Sequence, residues 1–249
     1  MSMTAAAKDE LSKLAVAKPC CQHAETATML HFAGGLHIVA GRVVIDAVLD
    51  AGGTARRLCR AIHDLYGYTP DAQVLTPRRV RQRYHYLVRV VRDGEALAQR
   101  CGLLDDRGRP ILGLPTPVVA GGPCDAAAIW RGAFLARGTL TAGHRSAAID
   151  IGCPDPEAAM ALTRAARRLG ITTTTKQGTT PTRVRDLDHV IARDGDAIAT
   201  LLTRMGAPRA RQAWEQRRTE KVRDAPNRLA GTPRARTFDI ARVQPQWRL

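Results

Sequence analysis

Residues 28–50 read TMLHFAGGLHIVAGRVVIDAVLD, and residues 131–155 read RGAFLARGTLTAGHRSAAIDIGCPD. The two stretches align at a constant offset of 104 residues. This offset pairs Cys20 with Cys124, Gly34 with Gly138, Leu36 with Leu140, Ile45 with Ile149 and Asp46 with Asp150. Farther along, VVRDGEAL at 90–97 matches IARDGDAI at 191–198, and a short deletion in the loops explains the smaller offset of 101. Ordered matches over about eighty residues predict an internal duplication.

Each copy predicts the same order of secondary-structure elements. An apolar helical segment ends at Gly34 or Gly138, and glycine readily adopts the left-handed conformation that terminates many helices. Short β-branched runs on either side of Gly41 are typical of a hairpin. A helix with Leu, Ile and Ala at helical spacing follows, then two more strands. Asp93 or Asp194 begins a last helix, which its carboxylate can cap. We therefore predict an α+β fold built from two αββαββα units.

The formal net charge is +15, from 38 basic and 23 acidic residues. An excess of this size suits a polyanion such as nucleic acid, because each phosphate contact releases counterions. A chain rich in Arg and Ala can equally reflect a GC-rich coding sequence, so charge alone leaves both interpretations open. No stretch approaches the roughly 18 apolar residues that a membrane helix needs. We expect a cytoplasmic protein with no membrane partner.

Six cysteines are scattered without a CxxC pair, which argues against a secreted disulfide scaffold and against a zinc finger. Cys20, Cys21 and His23 form the one cluster with metal-like spacing. A structural zinc site needs four ligands, and the sequence offers no second pair at a matching spacing. We therefore expect no metal site and no cofactor.

The element order, with small residues in the helix that opens each copy, resembles the LAGLIDADG homing-endonuclease fold. Several segments also resemble, in the same order, the WhiA family of bacterial sporulation and cell-division regulators: KPCCQHAETATMLHFAGGLHIVAGR, WRGAFLARGTL, RDGDAIATLLTRMGA, AWEQRR and NRLA. The resemblance covers residues 1 to about 230. It implies two central helices packed on a pseudo-two-fold axis, with curved sheets that form a saddle over DNA. It also implies a transcription factor involved in sporulation, cell division and chromosome segregation.

Endonucleases of this fold need a carboxylate at the end of each central helix, where the two acids hold divalent metal. Placing the motif's glycine on the residue that ends each helix puts Ala33 and Arg137 at the acid positions. No Asp or Glu occurs at 26–45 or at 126–149, so a shifted alignment restores neither acid. The sequence therefore predicts that the nuclease acids are lost.

Asp46 and Asp150 are the nearest repeat-related acids and are candidates for a replacement metal pair. Their predicted mid-strand positions favour an outward orientation or pairing with Arg instead. Isolated histidines such as His31 and His37 are expected to be surface or core residues. No Ser-His-Asp arrangement, P-loop or Gly-rich dinucleotide fingerprint is present. We therefore predict that the chain is not an enzyme, with a metal-dependent homing endonuclease as the least favoured alternative.

Basic residues on the predicted strands and hairpins are the candidate DNA contacts: Arg42, Arg78, Arg79, Arg81, Arg83, Arg145, Lys176, Arg183 and Arg185. The densest cluster is TPRRVRQRYHY at 76–86, which combines phosphate-binding charge with aromatic surface for stacking. It can equally be a solvated loop, and both interpretations are open. The segment 211–223 mixes acidic and basic residues at helical spacing, which is typical of a solvated connecting helix.

The WhiA resemblance stops near residue 230, where members of that family continue into a helix-turn-helix domain expected to read promoter sequence. We predict an N-terminal helix at 1–19, LAGLIDADG-like repeats at 20–118 and 119–207, a linker helix at 208–230, and a divergent, disordered tail at 231–249.

We accordingly expect a truncated or frameshifted family member, nucleoid-associated, whose DNA binding is weak or non-specific. It can also have a protein partner in transcription or cell division. The alternative is a protein–protein interaction module that does not bind DNA.

Overall fold

The structure is a computed structural model that describes residues 2–76, 84–143, 147–177 and 188–223. Two units with the same order of elements follow one another along the chain, preceded by helix α1 (Met3–Ser12). The first unit contains α2 (Pro19–Ala33), β1 (Gly34–Val39), β2 (Arg42–Leu49), α3 (Gly52–Tyr66), β3 (Asp71–Leu75), β4 (His85–Val90) and α4 (Gly94–Arg100). After α5 (Thr116–Ala120), the second contains α6 (Pro123–Arg137), β5 (Gly138–Thr141), β6 (Ala148–Cys153), α7 (Pro156–Arg168), β7 (Thr174–Lys176), β8 (Asp188–Ala192) and α8 (Gly195–Met205). Helix α9 (Pro208–Arg223) is the last described element.

Each unit forms a four-stranded antiparallel sheet. The strand orders are β1-β2-β4-β3 and β5-β6-β8-β7, so the two sheets have the same topology. Strands β1 and β2 are joined by Ala40 and Gly41, which have φ angles of 49° and 74°. A two-residue loop with positive φ at both positions matches the right-handed twist of the flanking strands. The hairpin predicted around Gly41 is therefore present.

Helices α2 and α6 pack against each other at the centre of the molecule, and most of their side chains are buried. This burial explains why both helices are apolar on nearly every side. Gly132 sets the distance between them, because a Cβ atom there would lie 2.6 Å from the carbonyl oxygen of Glu25. In the described part of the chain, no helix has the length and apolar character that crossing a membrane requires.

The glycines that end the two central helices do not adopt the expected left-handed conformation. Gly34 has φ −118° and Gly138 has φ −79°, and each leads directly into a strand. A Cβ atom at Gly34 would lie 2.4 Å from the carbonyl oxygen of Asp46 on the neighbouring strand. Close approach of the backbone, rather than a left-handed cap, is therefore what requires glycine there.

A buried ionic network joins the two units. Glu25 of α2 accepts hydrogen bonds from Arg57 of α3 and Arg131 of α6, at 3.1 Å from Arg57 Nη2 and 2.5 Å from Arg131 Nε. The three side chains are 4%, 13% and 6% exposed, respectively. Each guanidinium also reaches a main-chain carbonyl, that of Leu14 at 2.6 Å and that of Met205 at 3.0 Å. Two cations and one anion are thus held away from water.

Helix α1 ties the two units to the end of the described chain. Lys8 is 2% exposed and bonds both carboxylate oxygens of Asp50, which follows β2. Thr4 Oγ1 exchanges hydrogen bonds with the main chain of Leu140 in β5. The Glu10 carboxylate accepts from two backbone N–H groups in the first turn of α9, at 2.9 and 2.8 Å. A carboxylate near the start of the described chain therefore caps the last described helix.

Helix α9 differs from the solvated connecting helix that its charges predict. Trp214 is fully buried, and its Nε1–H donates to the carbonyl oxygen of Thr141 at 3.0 Å. Exposed charged residues also lie on this helix, for example the pair Arg211 and Glu215. Trp214 thus anchors the helix to the second unit, together with the hydrogen bond from Arg211 Nη1 to Thr203 Oγ1 at 3.1 Å.

The two predicted aspartate caps have different outcomes. Asp194 accepts a hydrogen bond from the Ala197 backbone N–H at 2.9 Å and caps α8, as predicted. The prediction for Asp93 is wrong, because its side chain makes no cap hydrogen bond to α4. Asp93 adopts the left-handed conformation, with φ 57°, instead of the extended conformation of a capping residue.

Candidate nucleic-acid interface

The ends of the central helices carry no carboxylate. Ala33 is 6% exposed, and Arg137 is exposed at the matching position of α6. The Arg137 Nε–H donates across the helix pair to the carbonyl oxygen of Phe32. A guanidinium is favoured there, because the helix dipoles place partial negative charge at their C-terminal ends. One unit thus presents a methyl group and the other a cation, and neither can bind a divalent metal ion.

His31, near the end of α2, contacts the second unit. Its Nε2 lies 2.9 Å from Asp155 Oδ2, and the two side chains are 10% and 17% exposed. Burial raises the pKa of Asp155, but hydrogen bonds from His31 and the Ala158 backbone N–H outweigh it and hold that pKa below its usual range. Asp155 also caps α7. His31 therefore serves packing between the units, which is the second of its two expected places, surface or core.

Asp46 lies in the first sheet beside a cation. It is paired in the ladder with Arg89 of β4, whose Nε and Nη2 atoms lie 2.7 and 2.6 Å from the two carboxylate oxygens. His37 approaches to 4.0 Å. The Arg89 guanidinium holds the pKa of Asp46 below its usual range. The carboxylate is thus engaged in a bidentate ion pair with an arginine, which is one of the two outcomes expected for it.

Asp150 occupies the matching place in the second sheet, with a different partner. Its Oδ1 atom lies 2.7 Å from Nδ1 of His189 on β8. The Asp150 side chain is 35% exposed, so of the two expected outcomes it has the outward orientation, and an imidazole takes the place of an arginine. Lys176 of β7 is the ladder partner of His189 and is exposed. A lysine, a histidine and an aspartate thus lie close together across three strands.

Two of the predicted DNA contacts belong to the described chain. Arg42 begins β2 and Lys176 ends β7, and both are exposed. By the two-residue period of a strand, Arg42 shares a sheet face with Asp46. The other predicted contacts, Arg78, Arg79, Arg81, Arg83, Arg145, Arg183 and Arg185, lie outside the described residues.

Sequence reasoning missed Arg89 and His189 as members of this surface. Both lie within apolar strands, so the sequence pattern around each of them predicts a strand and does not draw attention to a single polar side chain. The available signal was the two-residue period, which places Arg89 opposite the flanking Val88 and Val90. His23 is not part of a metal cluster, since its Nδ1 atom hydrogen-bonds the Tyr66 hydroxyl at 2.6 Å.

Comparison with known families identifies both halves of the chain. The family model described as the WhiA N-terminal LAGLIDADG-like domain matches residues 19–104, and the one described as the WhiA LAGLIDADG-like domain matches residues 126–223. The chain belongs to the WhiA family. A protein of Saccharopolyspora erythraea described as probable cell division protein WhiA is 54% identical over 231 residues, which are 92% of this chain and 69% of that protein. One of Parafrankia sp. with the same description is 52% identical over 256 aligned positions, covering 99% of this chain and 77% of its own.

Solved structures confirm the fold. The crystal structure of full-length DUF199/WhiA from Thermatoga maritima is similar with a TM-score of 0.64 at 15% identity, over 89% of this chain and 67% of that one. The homing endonuclease I-DmoI in complex with DNA and Mn has a TM-score of 0.54 at 14% identity, over 76% of this chain and 98% of its own. The predicted duplicated LAGLIDADG-like α+β fold and the predicted family are therefore both confirmed.

Proposed function

We propose that this chain is a non-catalytic DNA-binding regulator of the WhiA type, acting in sporulation, cell division and chromosome segregation on the nucleoid in the cytoplasm. One observation carries the proposal: the duplicated LAGLIDADG-like fold is combined with Ala33 and Arg137 at the positions where we expect the nuclease acids. The Arg137 guanidinium is engaged with the opposite central helix, where an endonuclease would hold metal. The net charge of +15 supports DNA as the partner.

The proposed contact surface is the sheet face that carries Arg42 in the first unit and Lys176 in the second. Both side chains are exposed and are set on strands, so their positions are fixed by the ladders. Such residues contact phosphates and determine the placement of the duplex without reading its sequence. Binding through this face is therefore expected to be sequence-independent and sensitive to salt.

Titration of the full chain against duplex DNA at several salt concentrations tests the proposal. The logarithm of the binding constant should fall linearly with the logarithm of the salt concentration. Arg42→Ala and Lys176→Ala should each lower that slope by about one, since each removes one phosphate contact. Arg204→Ala is the matched control, because Arg204 is an exposed arginine that lies on helix α8 and not on a strand of either sheet. No binding at low salt would overturn the proposal.

Incubation of the same duplexes with Mg²⁺ or Mn²⁺ tests the absence of catalysis. We expect intact DNA, because the helix ends offer no carboxylate for the metal. Cleavage that is lost on substitution of Asp46 or Asp150 would show instead that these acids form a replacement site.

A protein–protein interaction module is the second candidate function. It is favoured by large apolar side chains on the two edge strands of the first sheet, where Ile38 is 81% and Val74 is 58% exposed. Exposed apolar residues on edge strands are typical of surfaces that another chain covers. Retained partner binding with no affinity for DNA would favour this function over the first.

A further inference from the structure

The first turns of the two central helices meet and bring four potential metal ligands together. Cys20 and Cys21 lie in the first turn of α2, and Cys124 and Asp125 lie in the first turn of α6. One ligand atom from each residue lies within 4.8 Å of the others. The ligands are thus contributed equally by the two units, at the end of the helix pair opposite to the former acid positions.

The spacing of these atoms approaches that of a tetrahedral site. A tetrahedral zinc ion with Zn–S bonds of about 2.3 Å separates its sulfur ligands by about 3.8 Å. The Sγ atoms of Cys20 and Cys21 are 3.9 Å apart. The remaining ligand atoms need to move by at most about one ångström to reach the same separation. Rotation of side chains at the start of a helix can provide such a shift.

The environment of the Asp125 carboxylate is a second observation in favour of a bound cation. Its residue is 9% exposed, and its Oδ2 atom accepts the Gly122 backbone N–H at 2.9 Å and so caps α6. Its Oδ1 atom is buried and has no hydrogen-bond partner among the described residues. A buried carboxylate oxygen without a partner is costly, because it loses its water without compensation. A cation held by the neighbouring sulfurs would satisfy it.

We propose that Cys20, Cys21, Cys124 and Asp125 bind one Zn²⁺ ion in a tetrahedral S₃O site. Three thiolates are soft ligands that select zinc over magnesium or calcium, and four protein ligands are typical of a structural zinc site. Cys20 is exposed and gives the ion a path of entry. The site is structural, since no ligand position is left open for water or substrate.

Binding of the ion releases three protons, because each thiol must become a thiolate. Zn²⁺ with three thiols and one carboxylate gives a complex of charge −2 and three H⁺. Without a cation, burial raises the pKa of Cys21 to about 12, so that thiol stays protonated. The two helix N-termini and Lys18, which precedes α2, favour the negative charge of the complex.

The repeat explains why the sequence reasoning missed this site. The sequence criterion for a zinc site was a second pair of ligands close to the first in the sequence. The second pair lies 104 residues away instead and comes from the matching turn of the other unit. The offset pairs Cys20 with Cys124 and Cys21 with Asp125. An ion there would join the two units at the start of their central helices.

The test uses the full chain, purified with a thiol-free reductant and supplied with Zn²⁺ alone. Elemental analysis after removal of free metal should give one zinc per chain. Replacement by Co²⁺ should give intense visible bands and sulfur-to-metal charge transfer, which report tetrahedral thiolate ligation. The double variant Cys20→Ser/Cys124→Ser should bind zinc at least about 100-fold more weakly, since even outer-shell changes weaken binding by up to that factor. Zinc should raise the melting temperature of the wild type and not that of the variant.

Two further variants keep the proposal falsifiable if the double variant fails to fold. Asp125→Asn keeps an oxygen to cap α6 but removes the carboxylate, so zinc affinity should fall while the circular dichroism spectrum is unchanged. Cys59→Ser is the matched control, because Cys59 lies on α3 outside the cluster, and its zinc content should equal that of the wild type. The proposal is overturned if the folded wild-type chain binds no zinc, or if the double variant keeps stoichiometric zinc.

Discussion

Replacement of Glu25 by glutamine tests how strongly the buried ionic network joins the two units. The substitution keeps the shape of the side chain but removes the one anion between Arg57 and Arg131, all three of which are largely buried. Removing one partner of a buried ion pair typically costs about 3–5 kcal/mol, because the remaining charge cannot regain its water. For a chain of this size each kcal/mol lowers the melting temperature by about 2–4 °C, so Glu25→Gln should melt roughly 6–20 °C below the wild type.

Thermal unfolding followed by circular dichroism measures this effect. Glu215→Gln is the matched control, since Glu215 pairs with Arg211 at 2.9 Å but both side chains are 44% exposed. It should change the stability by less than about 1 kcal/mol. The triple variant Glu25→Leu/Arg57→Met/Arg131→Met should recover the lost stability, because it leaves no buried charge unpaired. The reasoning is refuted if Glu25→Gln melts within about 2 °C of the wild type, since a cost of about 3 kcal/mol could not then be present.

Three further predictions concern other contacts. Gly132→Ala should destabilise the chain by about 1–3 kcal/mol in urea unfolding, because the added methyl group would press against α2, although alanine is the better helix former. Gly122→Ala is the control, since a Cβ atom there meets nothing within 4 Å. Equal stabilities of the two variants would contradict the close approach at Gly132. Asp46 has a folded pKa below its unfolded value of about 3.9, so its contribution is complete above that pH and is lost as the pH falls through the lower folded pKa. Arg89→Gln should therefore flatten the decrease in stability below about pH 4, and an unchanged acid profile would argue against the pair. Trp214→Ala should cost about 3–5 kcal/mol, measured by thermal unfolding, whereas a loss below about 1 kcal/mol would mean that α9 is not anchored by this side chain.

The duplication could be predicted from the sequence because both copies preserve residues that the backbone requires. Gly34 and Gly138 recur where a central helix turns into a strand, and the apolar pattern recurs around them. The buried ionic network could not be predicted in this way. The position of Glu25 in the first copy is occupied by Ile129 in the second, so the repeat gives no sign of it. Its partners come from separate helices, and only the packing of the two units brings them together.

For the candidate interface, the sequence alone could predict which chemical group is absent from the helix ends. The absence of carboxylates at the ends of both central helices follows from the composition of residues 26–45 and 126–149, and it needs no coordinates. The hydrogen bond from Arg137 to the opposite helix could not be foreseen, because it depends on the distance between the two helices. The pairing of Asp150 with His189 likewise joins two strands that are far apart in the sequence, and their register depends on turn geometry as well as on the hydrophobic pattern.

The cap that Glu10 provides for α9 has a consequence for the order of folding. The bonded groups are 199 and 200 residues apart in the chain. At about 5–20 residues per second, a ribosome needs roughly 10–40 s between synthesis of the cap and synthesis of the helix that it caps. Closing so long a loop is entropically unfavourable until other contacts have brought its ends together. The contact of Lys8 with Asp50 spans only 42 residues and can place α1 against the first unit much earlier, so the cap of α9 is the later of the two contacts to form.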